Sequence, residues 1–162
     1  MVAPLLRNIS TFADPKPRAR GVSRAGPGVH AVATSVWTGL TLLSALRPGV
    51  ESAIRRLQEI ASLPQGWDSY GSRPPTGHAV RAAMEVLAEV GDSALPEPVN
   101  VAPVSGGGVQ LEWEQNGREF ELEILPDGRA EALVIEDGEA VLEAVVDVTV
   151  VPTLLEWLVV GE

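Results

Sequence analysis

The stretch Val109–Ile124, VQLEWEQNGREFELEI, constrains the fold more than any other part of the chain. It consists of two strictly alternating runs joined by Asn116-Gly117. A type I′ turn needs positive φ at both central residues, which Asn and Gly tolerate, so this pattern marks a two-residue β-hairpin. The turn length sets the register: Trp113 falls opposite Phe120, Leu111 opposite Leu122, and Val109 opposite Ile124. One face of the hairpin is then apolar and aromatic, which is favourable cross-strand pairing. The other face sets Glu114 against Glu119, Glu112 against Glu121, and Gln110 beside Glu123. Like charges directly opposite one another destabilise a sheet, so the acidic ladder calls for a reason outside the hairpin.

Further turn signals extend the sheet. Pro126-Asp127-Gly128 leads into Arg129–Glu136, and Asp137-Gly138 leads into Glu139–Val148. Upstream, Leu95–Gly108 is punctuated by proline, and Val99, Val101 and Val104 suit a short edge strand, where proline is tolerated. Before the sheet, Val50, Ala53, Ile54, Leu57, Ile60 and Ala61 recur at helical spacing, and Pro64 ends that run. Thr76 suits the N-cap of a second helix over His78–Val90, with Val80, Ala83, Met84, Leu87 and Val90 as its buried stripe and Gly91 as its C′ stop. Pro152 opens a last short helix through Leu154, Leu155, Trp157 and Leu158, closed by Gly161. The expected fold is α+β: a helix–loop–helix packed on a four- to five-stranded antiparallel meander, with a short C-terminal helix and an extended N-terminal arm.

Three regions follow from composition. Residues 1–28 form a basic, Pro/Gly-rich arm with Arg7, Lys16, Arg18, Arg20 and Arg24 and no amphipathic period, a composition that orders on a partner rather than alone. Residues 29–47 make an uncharged, apolar segment up to Leu46, containing Trp37. Its length raises the reading of a membrane anchor, but His30, Thr34, Ser35, Thr38, Gly39, Thr41 and Ser44 dilute it. Docking on a partner is the preferred reading, with Trp37 as a contact. Residues 48–162 are the acidic α+β domain. The net charge of −10 divides unevenly: residues 1–81 carry ten basic and four acidic groups, and residues 82–162 carry two basic and eighteen acidic groups. Phosphate binding is supplied by Lys and Arg, so the second half is not suited to nucleic acid, whereas a basic protein surface complements it. There is no cysteine, hence no disulfide framework and no thiolate chemistry. Eleven arginines against one lysine, with abundant Ala and Val, suit a bacterial or phage origin. A cytoplasmic setting is expected, with membrane association as the minor alternative.

The loop Pro64–Pro75, PQGWDSYGSRPP, is dense in turn residues yet carries Trp67 and Tyr70. Gly66, Trp67, Asp68, Ser69, Tyr70, Gly71 and Pro74, with Gly107, Gly108, Leu111, Glu112 and Trp113 further on, resemble a family of uncharacterised bacterial proteins. That family has a WD-[GS]-x-GA loop before a proline and a helix, then a GG-x-x-LEW strand. Ser72 stands where the family usually has alanine, and the resemblance covers about residues 54–125. It implies a domain boundary near residue 48 and no particular activity.

Two patterns are candidates for chemistry. In the loop, Asp68 could act as an acid or base assisted by Ser69 or Tyr70, with His78 nearby. The structural alternative has Trp67 and Tyr70 plugging the junction between helices and sheet while Asp68 satisfies backbone N–H groups. The acidic ladder Glu112, Glu114, Glu119, Glu121 and Glu123 could hold a cation or supply paired carboxylates for glycoside hydrolysis. However, a flat strand face spreads carboxylates apart, and docking of a basic partner suits it better. Gly106-Gly107-Gly108 precedes a strand rather than a helix and lacks the Lys-Ser/Thr of a P-loop, so it reads as a turn. No zinc, EF-hand or dinucleotide spacing is present, and no cofactor is expected. The functional expectation is a non-enzymatic protein–protein interaction module: a subunit of a bacterial or phage assembly, or the dedicated partner of a basic protein. Arg18, Arg20 and Arg24 lying across a neighbouring subunit's acidic sheet is the self-associating version. An antitoxin- or immunity-like neutraliser and a small enzyme using GWDSYG are the alternatives.

Overall fold

The computed structural model describes residues 47–160. Arg18, Arg20, Arg24 and Trp37, the arm and most of the apolar segment lie outside the described residues, as does Gly161. In chain order the elements are α1 (Pro48–Ala61), α2 (Gly77–Gly91), β1 (Asn100–Val104), β2 (Gly108–Gln115), β3 (Arg118–Ile124), β4 (Ala130–Glu136) and β5 (Glu139–Val146). A single 3-10 turn, Val148–Val150, then leads into α3 (Val151–Val160). The fold is α+β, with the strands in one antiparallel sheet of order β1-β2-β3-β4-β5.

The hairpin register is the one that the two-residue turn dictates: Trp113 pairs with Phe120, Leu111 with Leu122, and Val109 with Ile124. Asn116 and Gly117 have φ of 57° and 77°, and Asp137 and Gly138 have 53° and 81°, so both turns are of the primed kind whose twist matches the strands. The turn at Pro126-Asp127-Gly128 is different. Only Gly128 is left-handed there, because proline holds its own φ near −65° and starts an ordinary turn. The Leu125 N–H then donates to Arg129 O at 2.7 Å, and the Gly128 N–H to Leu125 O at 2.9 Å. A bulge between Val134 and Ile135 shifts the β4–β5 register by one residue.

The inner sheet face carries the core. Val101, Val109, Leu111, Trp113, Phe120, Leu122, Ile124, Ala130, Ala132 and Val134 are buried on it, beneath the three helices. Trp113 and Phe120 stack with ring centroids 5.2 Å apart, and the Trp113 indole N–H is satisfied by Pro96 O at 3.1 Å. The α1 stripe buries Val50, Ala53, Ile54, Leu57 and Ile60 as expected, while Ala61, its last residue, is exposed. The α2 stripe is rotated from expectation. Ala79, Ala83, Val86, Leu87 and Val90 are buried, and Val80 and Met84 are half-exposed. Small alanines, not the larger Val80 and Met84, occupy the contact because they let the helix sit closer to its neighbours.

The helix ends show how tertiary contacts replace local signals. Thr76 is the N-cap of α2, accepting from Ala79 N at 3.2 Å and donating to Pro126 O at 2.6 Å. The stop expected at Gly91 does not form: Gly91 remains helical and Asp92 is the C-cap at φ −83°. A left-handed glycine satisfies terminal carbonyls, but here Arg47 Nη2 reaches Val90 O at 2.8 Å and Ser93 Oγ reaches it at 3.1 Å. The cation at a helix C-terminus also complements its dipole. Arg47 thus belongs to the fold, although the composition placed it in the preceding segment. Its Nε lies 3.5 Å from Glu97, whose other oxygen accepts from Gly49 N at 3.1 Å and caps α1.

Candidate functional site

The outer sheet face is the most unusual surface of the described residues. Because side chains alternate across a strand, the register puts Glu112 and Glu114 of β2 and Glu119, Glu121 and Glu123 of β3 on it. Glu114 pairs with Glu119, Glu112 with Glu121, and Gln110 with Glu123, as the hairpin predicts. The structure adds two carboxylates. Glu131 of β4 pairs with Glu123, and Glu143 of β5 stands beyond Leu133, which itself pairs with Glu121. Glu131 was encoded in the alternation of β4 once the turn at 126–128 set its phase, whereas Glu143 reaches this face only through the bulge, since strict alternation from Glu139 would put it on the inner face. Leu133, Ile135 and Val145 lie between the carboxylates on the same face.

Among the described residues this face crowds carboxylates together with no cation at ion-pair distance, although Arg129 is near enough to Glu131 for their charges to interact. Five ion pairs occur among the described residues, Arg47–Glu97, Arg55–Glu51, Arg56–Glu59, Arg118–Glu136 and Arg129–Asp127. None of them involves an outer-face glutamate. Two glutamates gain neutral partners: Asn100 Nδ2 donates to Glu112 at 3.1 Å, and Gln110 Nε2 donates to Glu121 at 3.1 Å. Loss of hydration, followed by the nearby Glu112 and Glu119 charges, raises the Glu121 carboxyl above its ordinary value. A shallow depression of ≈ 240 Å³ opens beside it, lined by Gln110, Glu121, Glu123, Glu131, Leu133 and Glu143. Among the described residues, no three His, Asp or Glu side chains converge closely enough to hold a metal ion. The strand spacing keeps the carboxylates apart, as the pleat requires.

The GWDSYG loop is organised by Asp68. Its Oδ1 accepts from Tyr70 N at 2.9 Å and Ser72 N at 3.1 Å, and its Oδ2 accepts from Ser72 Oγ at 2.5 Å. These bonds, the one from the Ser72 hydroxyl foremost, hold the carboxyl below the usual Asp value. The structural expectation for Asp68 is met. The expectation for Tyr70 is overturned: it is 94% exposed. It sits between two left-handed residues, Ser69 at φ 67° and Gly71 at φ 87°, and the Asp68 bonds turn that tip outward. Trp67 is half-buried, its indole N–H donating to Arg73 O at 3.2 Å within the same loop. His78 is exposed in the first turn of α2, and Asp68 accepts from Tyr70 and Ser72 rather than from it.

The loop is tied to one end of the sheet. Ser72 Oγ lies 2.9 Å from Ser105 Oγ, and Thr76 N donates to Gly107 O at 2.9 Å. The glycine run is therefore a packed turn. A side chain on Gly108 would meet Ile124 O at 2.7 Å, so the strand entry requires glycine. Sequence reasoning missed one further charged residue, Arg118. On the inner face it donates from Nε and Nη2 to Glu136 Oε1 at 2.9 and 2.8 Å, and it stacks 4.7 Å from the Trp157 ring centroid. Its place opposite Glu136 was readable from the register. Its contact with α3 depends on the tertiary fold.

No helix among the described residues is long and apolar enough to cross a membrane. Comparison of the chain with family models, curated proteins and solved structures found no match.

Proposed function

We propose that this chain is a non-enzymatic protein–protein interaction module whose outer sheet face receives a basic surface of another protein. The observation that carries the reading is the set of seven glutamates on one sheet face, none of them paired with Lys or Arg among the described residues. Such a face raises the rate of encounter with a basic partner and disfavours acidic ones. Leu133, Ile135 and Val145 supply apolar contact area between the charges. Docking relieves the repulsion that the free sheet carries, so the partner's cations act as missing members of the ladder. Asp68, engaged by three hydrogen bonds as an anion, supports the loop rather than transferring protons. Tyr70 at its tip offers a second, aromatic contact of the kind found at interface hot spots.

The test is the triple substitution of Glu112, Glu119 and Glu121 by Gln in the full-length chain. The wild-type protein is purified from its source with whatever is bound, and the partner is identified by mass spectrometry. Affinity is then measured at two salt concentrations. The triple variant is expected to bind at least about tenfold more weakly, which is 1.4 kcal/mol, and to lose much of the salt dependence. Unchanged affinity and salt response would sink the reading. Recovery with one basic protein at fixed stoichiometry marks a neutraliser, and recovery with a large particle marks an assembly subunit.

A further inference from the structure

The sheet has two edges, and they are built differently. β1 is closed to further pairing. In a two-residue hairpin the residues flanking the turn exchange hydrogen bonds, and bonded and non-bonded pairs then alternate along the strands. Carried from Gln115–Arg118 across β2, this alternation points Asn100, Ala102 and Val104 toward β2 and leaves Val101 and Pro103 facing outward. Pro103 has no N–H to offer, and Val101 O is already taken by Arg56 Nε at 3.4 Å. A proline on the outward side is a common way of blunting an edge.

β5 has no proline or side-chain block on its outward side among the described residues, although the bulge opposite Val134 and Ile135 bends it. Among the described residues it pairs with β4 alone, and it is eight residues long and contains no proline. Counting from Glu136–Glu139 across the bulge, Leu142, Ala144 and Val146 bond toward β4, and the backbone N–H and C=O of Glu143 and Val145 face outward. No hydrogen bond to these groups is made among the described residues. Val145 is 61% exposed, and Leu142 and Ala144 are half-buried on the other face.

We infer that β5 is a docking edge for an extended strand of the basic partner, adding a sixth strand by main-chain pairing. The inference rests on the interaction-module reading above and names the form that the partner takes. Charge selects the occupant. A strand beside β5 places one side chain next to Glu143, in the row of Leu133 and Glu121, and the next on that face beside Val145, in the row of Glu131 and Glu123, where Lys or Arg complements the carboxylates. Its other side chains lie beside Leu142 and Ala144, where apolar residues fit. A second copy of the chain is the poorer occupant, because β5 against β5 brings two acidic faces edge to edge.

The experiment uses the full-length chain and a capped octapeptide of alternating lysine and valine, with amide hydrogen exchange read residue by residue. A second octapeptide carries an N-methyl group on every residue, keeping the charge but removing the pairing donors of both edges. The alternating peptide is expected to slow exchange at Glu143 and Val145 at least tenfold. The methylated peptide is expected to slow it little, and Val145→Pro, which removes an outward donor and spares the β4 ladder, should abolish the effect. If both peptides bind equally and perturb Glu112, Glu119 and Glu121 without protecting Glu143 and Val145, the edge inference is overturned and the acidic-face reading stands. If neither peptide binds, both are overturned. Concentration-dependent protection of the same amides without peptide would assign the edge to a second copy and overturn the basic strand.

Discussion

Trp113 and Glu114 are neighbours in the chain, yet one is stacked in the core and the other stands exposed beside Glu119. The same alternation continues through β3 and β4, so one sheet has two faces with opposite physics. On the inner face the neighbours are complementary: rings stack, aliphatic side chains fill space, and Arg118 has both an anion and an aromatic partner. On the outer face the neighbours repel. The difference teaches that burial on the inner face, and not pairing on the outer one, holds the sheet together.

Three substitutions test that division, beginning with the largest effect. Trp113→Ala removes a buried ring that contacts Phe120 and leaves a cavity, and it should destabilise by about 4 kcal/mol in chemical denaturation. A loss under about 1 kcal/mol would mean that the hairpin is not the centre of the core. Arg118→Met keeps the length and apolar stem but removes the charge. Glu136 is left without its partner and the stacking on Trp157 is weakened, so a loss of about 2 kcal/mol is expected. A neutral result would show that Arg118 is no better placed than the outer-face charges, and the comparison would fail at its one internal exception.

Glu121→Gln should have the smallest effect and the opposite sign. The folded-state pKa of Glu121 lies above the ordinary carboxylate value, so the folded protein holds that proton more tightly than the unfolded chain. Stability is greatest below the ordinary value and falls as pH rises through the raised one. The amide variant keeps an oxygen for Gln110 and removes the charge. At neutral pH and low salt it should stabilise by about 0.3 kcal/mol after allowance for solvent screening, with no gain at acid pH. Thermal melts of both proteins across that range decide the matter, and equal destabilisation at every pH would mean that Glu121 is structurally needed.

Much of this was legible because it depended on periods and turn chemistry. Asn116-Gly117 can be satisfied in few ways, and every strand pairing in the hairpin follows from it. The GWDSYG loop was legible only in part. Asp68 accepts from backbone groups two and four residues ahead, a local pattern, whereas the direction of Tyr70 depends on three successive φ values around it. The apolar character of a tyrosine argued for burial, and the backbone of Ser69 and Gly71 decided otherwise. The end of α2 was misread for a similar reason: a glycine after the last apolar residue is a sound local stop, but Arg47, 43 positions from Val90, supplied the missing partner.

The sequence by itself determined the α+β class, the hairpin register, the primed turns and the acidic character of five outer-face positions, because side-chain alternation and left-handed turns are short-range requirements. Only the tertiary structure decided that Glu143 joins that face, that Arg118 bridges β4 and α3, that Tyr70 points outward, and that among the described residues β1 is closed while β5 is open. Those features depend on which strands and helices become neighbours, and that choice is made by burial of the whole apolar surface rather than by any one segment.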